Sequence, residues 1–347
     1  MMTSRTHPSV KTVLLLSLSM TLWGVSSARE IVIENGKATI YLPSGDGEAI
    51  NGAIRDLPEE GGTVILGPVF FPVSEAVVID RDNIEIRGIS EATTLRLTDG
   101  ANCSVIVVGS TDTPVARIVR NVLIQNIVID GNRGAQQFEC TGGPCDSGGL
   151  AYIRNNGITI RGGEDIKVDH VITHNSRSGG IVLEKHCRRI CISNFESYNN
   201  EFDGLAAYET EDSVFTQMKL HNNRSAGISV DWSFNRNEIT DSLLVENGSQ
   251  GIFMRDSLEN QFQNLYIRDN GEQGIFVAET REIENSSARD NRFDRLVVTS
   301  NRTQGIRIND ASCVGNRISN SIVSSNKLEN VSLALEGILE GADTVTQ

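Results

Sequence analysis

Two arginines, two carboxylates and a tyrosine recur at one position of a repeating pattern: Arg161, Glu184, Tyr208, Asp231 and Arg255, followed by Ala278 and Asn309. Guanidinium groups suit bidentate binding of carboxylates. A tyrosine set between charged groups can give or take a proton. Together they fit removal of the proton α to a sugar carboxylate, followed by β-elimination or by reprotonation from the other face. In that chemistry Tyr208 is the acid/base. Arg161 and Arg255 hold the carboxylate. Glu184 or Asp231 is the second proton carrier. His186 (proton transfer) and Lys185 (binding) close the same unit as Glu184 and stand in reserve. The competing expectation is a surface row of charges that pair between neighbouring strands. His170, His174 and His221 fall near the corners of the units and are expected as turn or surface residues.

The row depends on a repeat. Gly-Ile or Gly-Leu pairs begin at Gly157, Gly180, Gly204, Gly227, Gly251, Gly274 and Gly305, at spacings of 23, 24, 23, 24, 23 and 31. An Asn stands four residues before the last glycines, at Asn200, Asn223, Asn247, Asn270 and Asn301, and again at Asn326. After Asn326 the glycine is replaced by Asn330, which predicts a left-handed backbone at this position. The long interval predicts a loop around Glu279 to Ser287. Each unit reads as short β-rich strands separated by turns, with no 3.6-residue apolar stripe. No proline follows Pro144, as suits central strands that need every N–H.

Self-similarity of this period predicts an all-β solenoid, a single-stranded right-handed parallel β-helix with coils about 4.8 Å apart. Equivalent asparagines would form a hydrogen-bonded ladder. The first and third residues after each glycine are apolar and fill the core, so the fourth points outward. Ala49 to Pro58 followed by Glu60 to Pro68 predicts a short capping helix leading into the first coil. The expected organisation is a signal peptide over 1–28, a cap and first coil over 29–75, the β-helix over 76–336 and a loose tail over 337–347.

The leader expectation rests on Arg5 and Lys11, the apolar run Val13 to Val25, and small residues Ser26 and Ala28. It implies a secreted protein, extracellular or periplasmic, without a membrane span. Without Arg5 and Lys11 the chain holds 29 basic and 45 acidic residues, a net charge of −16. That argues against a nucleic-acid partner, which needs a basic face, but leaves room for a local basic groove. Disulfides are compatible with export, and Cys140–Cys145 is the expected bridge. Cys187 and Cys191 flank a turn and either pair or stay free, as do Cys103 and Cys313. No cofactor is expected. Zinc lacks paired Cys-x-x-Cys spacing, and calcium suits the acidic surface but has no ligand-loop pattern. Asn102, Asn223, Asn247, Asn285, Asn301 and Asn330 start Asn-x-Ser/Thr triplets; several, such as Asn223, Asn247 and Asn301, are repeat positions expected to face inward, so the triplets are read as incidental.

The capping segment, the Ile86-Arg87-Gly88 strand and the coils resemble the pectate-lyase-like β-helix superfamily. Ile127-Val-Ile-Asp-Gly-Asn-Arg133 and Asp203-Gly-Leu-Ala-Ala-Tyr-Glu-Thr-Glu-Asp-Ser-Val-Phe215 are similar to mannuronan C5-epimerase modules. That resemblance covers about Ile84 to Asn330 and implies a polysaccharide partner, an acidic one. The family's Tyr-Gly-Phe-Asp-Pro-His motif is missing; Gly179 to Glu184 stands in its register. The motifs of polygalacturonase-type hydrolases are absent too. Three readings follow: a lyase or epimerase acting on a uronate glycan, a non-catalytic glycan-binding or cell-surface β-helix, and an inverting glycoside hydrolase. The last draws on Glu184 and Asp231, two coils apart or about 9.6 Å, against the 6.5–9.5 Å such enzymes use.

Overall fold

The computed structural model describes residues 31–34, 36–139, 153–280 and 286–341. The expected leader and the Cys140–Cys145 bridge lie outside these residues. The chain winds into a right-handed parallel β-helix. Ten short parallel strands stack into one sheet, from Val77–Ile79 and Ile106–Gly109 through Ile158–Arg161, Ile181–Glu184, Leu205–Tyr208, Ile228–Asp231, Ile252–Arg255, Ile275–Ala278 and Ile306–Ile308 to Val331–Leu333. The rest of each coil joins a second, 21-stranded sheet that wraps the other sides. The first and third residues after each glycine are buried, as Ile181 with Leu183 and Ile252 with Met254. Period-2 alternation places them in the shared core.

Helix Gly47–Asp56 caps the N-terminal end. The Asp46 side chain accepts from Ala49 N at 2.8 Å, satisfying one orphan donor of the first turn. Ile50, Ala53 and Ile54 turn inward over the core. Asn51 bonds Ala76 O at 3.0 Å and accepts from Val78 N at 2.9 Å, so the helix also occupies the open edge of the ten-stranded sheet.

The asparagine ladder is present. Asn223 Nδ2 donates to Asn247 Oδ1 at 3.0 Å, Asn247 to Asn270 at 3.1 Å, Asn270 to Asn301 at 3.0 Å and Asn301 to Asn326 at 2.9 Å. Asn223, Asn247 and Asn301 are buried, as their repeat positions implied. A second ladder, Asn237, Asn260, Asn291 and Asn316, runs up another corner.

The reason for the repeat glycine differs from expectation. Neither these glycines nor Asn330 adopts positive φ. The left-handed residue is the one before each ladder asparagine: Asn199, Asn222, Glu246, Asp269, Ser300 and Ser325, at φ 54–57°. Glycine is required by close approach. At Gly274 a Cβ would lie 2.3 Å from Val298 Cγ1 and 2.6 Å from Gly305 O. The ladder amide and the neighbouring coil fill the space a side chain would take.

Glu279 and Ser287 pair across the base of the predicted loop. Within the expected loose tail, Leu339–Glu340 instead form a strand on Asn316–Arg317. Cys187 and Cys191 do not pair; with Cys103 and Cys313 they are free thiols. Cys187 Sγ points to the Ile160 and Glu184 carbonyls, and burial pushes its pKa up to about 12. Among the described residues no helix is long and apolar enough to cross a membrane.

Candidate functional site

The register of the row is as read from the glycines. Arg161 pairs with Glu184, Tyr208 with Asp231, and Arg255 with Ala278 across adjacent strands. Its exposure is not. Arg161 is only 2% exposed, and Asp231 and Ala278 are buried as well. The cause is coverage by segments distant in sequence. Arg161 donates to Thr113 Oγ1 at 2.8 Å and to Asp112 O at 3.3 Å, and pairs with Glu184 at 2.9 Å. Asp231 forms an ion pair with Arg255 and accepts from Thr280 Oγ1 at 2.6 Å and Trp232 N at 2.8 Å. Arg161 and Arg255 are thus already engaged by carboxylates of the row, and Asp231 is closed off from solvent. Asn309 lies just past its strand and accepts from Arg307.

Tyr208 stands at the centre. Ser229 on the next strand lies beside its hydroxyl, and its ring tilts against Trp232 at 5.9 Å between centroids. Burial, reinforced by the Asp203 carboxylate, pushes its pKa well above the usual tyrosine value. Arg154 acts the other way on the same hydroxyl. Tyr208 is therefore a proton donor at neutral pH. Burial also raises the pKa of Asp203, against the hydrogen bond from Ala226 N at 2.8 Å and the nearby Ser225 side chain. Arg154 lies over the Phe202 ring at 5.4 Å. It also acts on Glu139, whose pKa burial raises to about 7. Sequence reasoning passed over Arg154, Asp203 and Glu139 because they lie outside the row, before their strands begin.

A cleft of about 670 Å³ opens beside the row, lined by His186, Glu209, Trp232, Ser233 and Asp256 among others. His186 is exposed, with Nδ1 3.0 Å from Glu209 Oε2. Lys185–His186 and Trp232–Ser233 are two-residue turns at positive φ; Glu209 and Asp256 are the equivalent one-residue turns. This turn is where the 24-residue coils hold their extra residue. The alternation of 23 and 24 was thus a readable signal. Each longer coil sets a side chain on the cleft rim, His186 in one and Trp232 in the other. Trp232 is 44% exposed despite its size.

The three histidines at the corners play other parts. His174, Tyr198 and His221 stack at 5.1 Å spacing on the 21-stranded sheet. His170 is exposed beside Asp169 at 3.1 Å.

The family description "Right handed beta helix region" matches residues 156–295. No curated protein sequence matches this chain. Among solved structures, the chain is similar to the Azotobacter vinelandii mannuronan C-5 epimerase AlgE6 A-module, with a TM-score of 0.67 and 17% identity over 84% of this chain and 77% of that one. It is similar to the Dettilon tailspike protein at a TM-score of 0.59 and 12% identity, over 87% and 70%. It is similar to a Thermotoga maritima exopolygalacturonase at 0.50 and 13%, over 85% and 91%. At such identities the likeness is one of fold. The stacked parallel coils and these likenesses show the fold, a right-handed parallel β-helix.

Proposed function

We propose that the protein modifies an acidic, uronate-containing polysaccharide by abstracting the C5 proton, as a lyase or epimerase. The observation that carries this reading is Tyr208, protonated at neutral pH, set beside Arg154 and Asp203 on the outward side of the ten-stranded sheet. Arg154 would neutralise the sugar carboxylate and so acidify the adjacent C–H. Asp203, a stronger base for its raised pKa, would take that proton. Tyr208 would donate to the departing 4-oxygen, giving elimination, or to C5 from the opposite side, giving epimerisation. Glu184 and His186 border this centre and remain candidates for relaying protons. The mannuronan epimerase and exopolygalacturonase among the similar structures support a glycan partner. Export through a leader fits such a partner.

A second reading has its own observation. The ion pairs Arg161–Glu184 and Arg255–Asp231 neutralise four charges of the row internally, which suits a scaffold that binds glycan without turnover. An inverting hydrolase is disfavoured, since Asp231 is buried and has no access for an attacking water.

Incubation with alginate, pectate and glycosaminoglycans separates these. Absorbance from unsaturated uronate or a changed anomeric proton spectrum is expected from the wild type. Glycan binding with silence in both signals would establish the non-catalytic reading, and new reducing ends alone would establish hydrolysis.

A further inference from the structure

The second residue of each strand in the ten-stranded sheet also faces outward, and its character changes along the axis. Near Tyr208 it is small: Val182, Ala206 and Ser229. Beyond, it becomes Phe253, Phe276 and Arg307. The two rings stack at 5.5 Å with 10° between planes, and both are half-buried. Arg255 lies 5.2 Å above the Phe253 ring and Arg307 5.9 Å above Phe276.

The two arginines differ in one respect. Arg255 is paired with Asp231, whereas Arg307 forms no ion pair among the described residues. Arg307 is held by a neutral acceptor, Asn309 Oδ1 at 2.9 Å. A guanidinium fixed over an aromatic ring by a neutral partner keeps donors for an incoming anion. The face is also asymmetric. On the N-terminal side the segment through Asp112 and Thr113 is tied down onto Arg161. A bound chain therefore has its free path toward Phe253, Phe276 and Arg307.

We infer that Phe253, Phe276 and Arg307 form binding subsites for an acidic polysaccharide, with Arg307 receiving a uronate carboxylate. This rests on the proposed function and adds to it the direction of the chain and its length. The strand of Tyr208 and the strand of Arg307 are four coil steps apart, about 19 Å at about 4.8 Å each. A pyranose in an extended 1,4-linked chain advances by about one coil step. Arg307 therefore meets the fourth sugar beyond the one at Tyr208. The outward edges of the stacked Phe253 and Phe276 rings offer apolar surface to the sugars between.

Titration calorimetry with oligouronates of two to eight sugars tests this, using wild type, Arg307→Ala and Arg307→Gln. Gln keeps a partner for Asn309 and guards against a folding defect. Both variants are expected to bind the octamer about tenfold or more weakly, as befits loss of a charge-assisted contact. Both should bind the trimer as wild type does and turn it over at the same rate. Unchanged octamer affinity in both variants, with wild-type binding intact, overturns the subsites and leaves the proposed function standing. Equal wild-type affinity for neutral and acidic oligomers overturns both.

Discussion

The corner of the coil and the face of the ten-stranded sheet obey the same register but keep it differently. At the corner the residue type is constant: Asn200, Asn223, Asn247, Asn270, Asn301 and Asn326 repeat coil after coil. On the face it changes at every step, from Arg161 to Glu184, Tyr208, Asp231 and Arg255. A buried amide needs a partner above and below, and another amide supplies both. Repetition there is a demand of the fold. The fold makes no such demand on the face, so its composition reports on something other than stacking.

The sharpest way to break this comparison is at the ladder. Asn247→Ala leaves Asn223 N and Nδ2 without their acceptor and Leu220 O without its donor. A loss of about 3–5 kcal/mol is expected, read from the denaturant midpoint. A change under about 1 kcal/mol would show that the ladder is incidental. Glu184→Ala should come next, at about 3 kcal/mol, because it strands the buried Arg161 guanidinium. Arg161→Met with Glu184→Ala should recover much of that loss. No recovery would mean that Glu184 is structural for another reason. Gly274→Ala should cost about 2 kcal/mol by overpacking; wild-type thermal stability would refute the close-approach account.

Tyr208→Phe should differ in kind. Its stability should move by about 1 kcal/mol or less, because only the hydroxyl is removed and the ring is kept. Its turnover should fall by about a hundredfold or more.

The smallest expected effect is a pH slope. Burial raises the Glu139 pKa to about 7 from an ordinary 4.5. Between those values the folded state holds a proton that the unfolded state has released, so stability declines as pH rises through the window and levels off above it. Glu139→Gln should flatten melting temperature between pH 5 and 7.5. An unaltered slope would place the titration elsewhere.

The scaffold was legible because its signals are local and periodic. Gly-Ile pairs set the strands to the residue, and Asn four residues earlier set the ladder. The second ladder escaped notice because Asn237, Asn260, Asn291 and Asn316 are spaced 23, 31 and 25 apart, with no glycine to mark them. The state of the row was not legible. What covers Arg161 is Thr113, 48 residues away, and what covers Asp231 is Thr280, 49 residues away. Such contacts leave no trace in a 23-residue period. Nor does the period explain Tyr208, whose partners Arg154 and Asp203 sit where coils begin.

Proton NMR of a polyuronate incubated in deuterium oxide tests the central claim most directly, because elimination and epimerisation both remove the original H5. The account predicts loss of the H5 signal with the wild-type protein and its retention with folded Asp203→Asn, which lacks the base that removes it. Full retention of H5 with the wild type, on every uronate polymer that it binds, would contradict it.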